Sequence, residues 1–91
     1  MIILPIKKKW FDMIRSGEKR EEYREIKPYY TSRFSPFLKT IAPIHVRLRN
    51  GYRKQSPHID ILCWLSIGEG LERWGAKTGI RYFILHIEKV Y

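Results

Sequence analysis

Residues 44–67 read IHVRLRNGYRKQSPHIDILCWLSI. The first six alternate. Ile44, Val46 and Leu48 fall on one face and His45, Arg47 and Arg49 on the other, which is the pattern of a strand with one buried side. Asn50-Gly51 is a strong turn signal. Residues 59–67 are apolar on both faces, as expected of a central or barrel strand. Together they predict a sheet as the frame of the domain.

The flanking segments fit around that frame. Residues 1–6 (MIILPI) read as a short strand, confined to an edge or an end by Pro5. Residues 8–16 read as a helix with Trp10, Met13 and Ile14 at i, i+3 and i+4, and Gly17 sits where a C′ glycine would stop it. Lys19 to Ile26 is charged but extended in character, with Glu21 and Tyr23 on one face and Arg20, Glu22 and Arg24 on the other. Pro28 marks a break, Tyr29–Phe37 has room for a helical turn, and Pro36 and Pro43 bound an irregular stretch. Gly68, Gly70 and Gly75 punctuate a loop with a turn of helix at Leu71–Trp74. The glycines of Gly68-Glu69-Gly70 are assigned to positive φ rather than to phosphate binding. Residues 80–90 form a long closing strand. The expected fold is a single α+β domain over residues 1–91, a small mixed barrel of about five to six strands with one or two short flanking helices.

Composition narrows the function. Hydrophobic residues at 44% and aromatics at 14% argue for a folded domain rather than a disordered basic tail. No apolar run approaches the roughly 20 residues that span a bilayer, so no membrane partner is expected. Met1–Pro5 is too short for a secretory core. The single cysteine, Cys63, excludes an internal disulfide framework and implies a reducing compartment, read as cytoplasmic. In its apolar strand it reads as a buried small hydrophobe.

The net charge of +9 is uneven. Residues 1–56 hold 14 basic and 5 acidic residues, whereas residues 57–91 hold four of each. From Ile26 to Ile59 there are seven cations and no acid, interleaved with Tyr29, Tyr30, Phe34, Phe37 and Tyr52. Cations attract a polyanion through counterion release, and aromatics stack on unpaired bases. A nucleic-acid surface and a solvated basic face over an aromatic core both fit this window. Tyr52, beside Arg49 and Arg53, is the aromatic most readily assigned to a nucleotide.

The densest polar element is Gly17-Glu18-Lys19-Arg20-Glu21-Glu22-Tyr23-Arg24. A strand face carrying Glu22 beside Arg24 can fix a carboxylate against a guanidinium. Such a carboxylate accepts from a base edge or serves as a general base. A surface ladder of weak ion pairs is the plain alternative. His45, His58 and His86 show no metal-ligand spacing with one another or with Cys63, so no metal and no cofactor is expected. Trp10 and Trp64 read as core, and Trp74, in a glycine-flanked loop, either packs the end of the barrel, the favoured reading, or stacks on a base. Ser66, Thr78 and the histidines form no recognisable triad in sequence.

The segment G-x-K-x-x-E-x-R, carried by Gly17, Lys19, Glu22 and Arg24 after a strand and a short helix, resembles the signature of the ASCH domain family. Asn50-Gly51-Tyr52, Trp74-Gly75 and the final strand resemble small bacterial and phage-type members. The resemblance implies a PUA-like barrel with flanking short helices that binds RNA or other nucleic acid in a cleft beside the motif. Lys19 would then supply a cation, Arg24 would pair with Glu22 or phosphate, and Glu22 would accept from a base or ribose hydroxyl. Arg47, Arg49, Tyr52 and Arg53 would extend the basic surface. One branch of the family hydrolyses N4-acetylcytidine, and some members are assigned ribonuclease activity. An RNA or modified-nucleoside hydrolase using Lys19 and Glu22 is therefore the alternative. This chain departs from the amidohydrolase branch by carrying Glu22 where that branch has a threonine. A basic protein-interaction module is the third reading.

Overall fold

A computed structural model describes residues 1–40 and 42–91. Ile41, within the stretch expected to be irregular between Pro36 and Pro43, lies outside the described residues. In chain order the elements are β1 (Ile2–Pro5), α1 (Lys8–Arg15), β2 (Glu21–Glu25), α2 (Pro28–Leu38), β3 (Ile44–Arg49), β4 (His58–Glu69), a single 3-10 turn (Glu72–Trp74) and β5 (Arg81–Val90). The strands form one mixed sheet in the order β1-β3-β4-β5-β2. Among the described residues β1 pairs with β3 in parallel, and the β2–β5, β3–β4 and β4–β5 pairs are antiparallel. The sheet curls into a half-barrel, which agrees with the expected small α+β domain.

The two-faced apolar strand takes the central place, as its composition demands. Ile59, Ile61, Cys63 and Leu65 of β4 point to the inner side, where Leu4, Val46, Leu48, Phe83 and Leu85 join them from the neighbouring strands. Phe11 and Ile14 from α1 and Phe34 from α2 close this core. Both helices therefore supply the concave side, and alternation sends His45, Arg47 and Arg49 outward. A bulge at Leu62/Cys63 shifts the β4–β5 register. Burial pushes the Cys63 thiol up to about 12, as its apolar setting requires.

Several expectations need correction. On α1 the buried positions are Phe11 and Ile14, while Trp10 is only half-buried. The segment after Pro28 is a helix of 11 residues rather than a turn. Pro28 stands in its first turn, where its missing N–H costs nothing. Phe34 anchors it, stacked on Tyr30 at 5.9 Å and edge-on to Phe83 at 5.4 Å. Pro36 lies inside this helix, where it removes one i→i−4 hydrogen bond from the C-terminal half. Asn50-Gly51 opens the loop of residues 50–57 rather than forming a two-residue hairpin. The Asn50 N–H donates to the Pro57 carbonyl at 2.8 Å, which closes the loop base. Gly68 and Gly70 do not have positive φ. Gly70 is needed for another reason: a Cβ there would lie 2.5 Å from the Tyr23 ring. Trp64 is not core; it is 42% exposed on the outer face. Gly17, with φ +86° and its N–H on the Ile14 carbonyl, ends α1 as expected.

Candidate functional site

Strands β1 and β2 are the two edges of the half-barrel and do not pair with each other. A cleft of about 640 Å³ opens between them, within the usual range for small-ligand sites. Trp10, Tyr23, Tyr30, Tyr52 and Tyr82 contribute aromatic walls. Lys7, Lys27 and Lys77 line it and are exposed, so they form its rim, with Glu25 the one exposed acid in the lining. Glu22 lines it from the floor, where it is 6% exposed.

Strand alternation explains the floor. Glu22 and Arg24 of β2 share a face, and Arg24 Nη2 donates to Glu22 Oε2 at 2.6 Å. The same Nη2 reaches the Pro5 carbonyl at 2.7 Å, and Nη1 reaches the Tyr30 hydroxyl at 3.3 Å. Among the described residues, Arg24 Nε is buried without a hydrogen-bond partner. Lys19 precedes β2, so alternation does not govern it. Its N–H donates to the Met13 carbonyl at 2.9 Å, which folds the link back under the strand. Its ammonium, on a residue 1% exposed, donates to the Glu21 carbonyl and lies 3.2 Å from Glu22 Oε1. The rings of Tyr23 and Trp10 face it at 4.8 and 5.3 Å. Burial pulls the Lys19 pKa below its ordinary value, and the Glu22 carboxylate opposes that shift. The floor is thus a carboxylate clamped between two cations, with one net positive charge.

Tyr23 fixes the neighbouring wall. Its hydroxyl donates to Glu21 Oε1 at 2.7 Å and accepts from the Leu71 N–H at 2.9 Å. Burial raises its pKa. Gly75, at φ +103°, lets the following loop pass close to Trp10, whose ring would stand 3.0 Å from a Cβ there.

Of the residues singled out from sequence, Glu22, Arg24 and Tyr52 line the cleft, and Tyr52 is 90% exposed. Lys19 lies beneath Glu22 and is not part of the lining. Arg47, Arg49 and Arg53 are also outside it. Arg47 instead forms a two-pronged pair with Asp60 at 2.8 and 3.0 Å, which holds the Asp60 carboxyl below its usual range. Arg49 Nε is buried with no hydrogen-bond partner among the described residues, and Arg53 stands exposed on the 50–57 loop. The sequence reading missed Lys7, Lys77, Trp10 and Tyr82. Lys7 had a usable signal, since it follows an edge strand directly.

The outer face holds a second polar group. Ser66 Oγ lies 2.7 Å from His86 Nε2, and His86 Nδ1 lies 3.6 Å from Glu21 Oε2. Trp64 stacks on the imidazole at 3.8 Å and 8°. The triad absent from the linear pattern is therefore present in outline. The Nδ1–Oε2 gap is longer than a hydrogen bond, so the relay is incomplete. Burial lowers the His86 pKa.

Comparison with protein-family models, curated proteins and solved structures finds no match for the chain.

Among the described residues, no group of three or more His, Cys, Asp or Glu side chains is placed to hold a metal ion. None of the described helices is long and apolar enough to cross a membrane.

Proposed function

We propose that the chain is an ASCH-type, PUA-like RNA-binding domain that admits one nucleotide to the cleft between β1 and β2. The observation that carries this reading is the Glu22 carboxylate. It is held at the floor by Lys19 and Arg24, beneath aromatic walls and a lysine rim. A general polyanion sponge has no use for a buried acid. A selective pocket does, because an acceptor at the floor sorts base edges while the rim takes phosphate. The resemblance of Gly17, Lys19, Glu22 and Arg24 to the family signature supports the same reading.

Binding is favoured over hydrolysis by the position of Lys19, whose ammonium sits behind Glu22 and outside the cleft lining. An acidic protein partner would engage the rim and leave the aromatic walls unexplained. The test is affinity for a short single-stranded RNA against salt. Changing Lys7, Lys27 and Lys77 to Gln should flatten the log–log slope by about 2. A slope unchanged by the triple variant would remove the rim from the interface.

A further inference from the structure

We propose that the cleft selects guanine, whose adjacent N1–H and N2–H donors meet the two oxygens of Glu22 while its phosphate lies among Lys7, Lys27 and Lys77. This rests on the cleft-binding reading above and names its ligand class.

A carboxylate only accepts hydrogen bonds, so whatever reaches the floor must donate. Phosphate is turned away from Glu22 and drawn to the rim lysines. The aromatic walls alone would also suit an ammonium ligand. Here Lys19 and Arg24 outweigh Glu22 by one positive charge, and the rim sets three lysines against the single acid Glu25. A cation is therefore disfavoured at both levels. The ligand that fits is neutral and donor-bearing at its inner end and anionic at its outer end.

The two Glu22 oxygens are occupied evenly. Lys19 approaches Oε1 and Arg24 donates to Oε2. A carboxylate oxygen can accept from more than one donor, so both oxygens of Glu22, which lines the cleft, are assigned here as acceptors for the ligand. Among the four common bases, only guanine sets two N–H donors side by side on its Watson–Crick edge. Adenine and cytosine place an acceptor beside their amino group. Uracil flanks its single N–H with two carbonyls, which would face the carboxylate. Mismatched edges leave a buried acceptor unpaired or repelled. A purine also gives the Trp10 and tyrosine walls the larger stacking face.

The test titrates the whole chain with GMP, IMP, AMP, CMP and UMP, with the Trp10 indole N–H signal as reporter. GMP should bind tightest, and IMP, which lacks the N2 amine, about tenfold weaker. UMP should bind weakest. Glu22→Gln replaces one acceptor by a donor and should erase the preference of GMP over AMP. The wild-type series stands alone if that variant folds poorly. Equal affinity for all five nucleotides, with Trp10 shifted, would overturn guanine selection and leave cleft binding intact. No shift of Trp10 with any nucleotide would overturn both.

Discussion

The Arg24 guanidinium donates through one nitrogen both to the Pro5 carbonyl at 2.7 Å and to Glu22 Oε2 at 2.6 Å. Pro5 ends β1 and Arg24 lies in β2, the two strands that leave the half-barrel open. One side chain therefore spans the seam of the sheet and fixes the acid at the bottom of the cleft. Stability and the proposed recognition meet at this residue.

Arg24→Lys keeps the charge but loses the planar fork that serves both acceptors. The expected cost is about 1.5–3 kcal/mol, the range for hydrogen bonds to charged groups, read from urea unfolding. A stability equal to wild type would mean that the seam does not depend on this bridge.

Lys19 and Glu22 are both buried and should show strong coupling. Glu22→Ala strands the Lys19 ammonium and should cost about 3–5 kcal/mol. The double variant Lys19→Met/Glu22→Ala should be more stable than Glu22→Ala alone, because the stranded charge is gone. Additive losses in a double-mutant cycle would show that the pair does not interact.

His86 gives a pH signature. Burial lowers its folded pKa from the usual 6.5, so between the two values the unfolded chain binds more protons. Stability should fall as pH drops from 6.5 to the folded pKa and level off below it. Titration of the His86 ring by NMR gives the folded value. The slope should vanish in His86→Gln; a slope that persists there belongs to another group.

Gly70→Ala places a methyl 2.5 Å from the Tyr23 ring and 2.8 Å from the Ala76 Cβ. Overpacking of this kind costs about 1–3 kcal/mol. It should also loosen the Leu71 N–H bond to the Tyr23 hydroxyl, visible as faster amide exchange at Leu71. Exchange unchanged at Leu71 would mean that the loop absorbs the methyl.

Much of this architecture was legible in the linear pattern. Alternation gave β3 its bounds, and the two-faced run at Ile59–Ile67 located the central strand. The same alternation placed Glu22 and Arg24 together. It could not place Lys19, which lies in an irregular link and reaches Glu22 through a backbone turn onto Met13. Proximity in sequence also misled. Arg47 and Arg49 follow the acid-free logic of charge, but strand parity turns them to the outer face, where Asp60 meets Arg47. Lys77 joins the cleft from a loop more than 50 residues beyond Glu22, a closure that no local pattern encodes. The pattern around Gly70 points to a positive φ, whereas its requirement is the closeness of Tyr23.

The proposed entry of RNA into the cleft, rather than onto the outer sheet face, can be followed through the three tryptophan indole N–H signals. Trp10 lines the cleft, whereas Trp64 stacks on His86 on the outer face. In a titration of isotope-labelled protein with a short single-stranded RNA, the Trp10 signal should shift and Trp64 should stay in place. A shift of Trp64 with Trp10 unmoved, or no shift of either, would show that RNA does not enter the cleft.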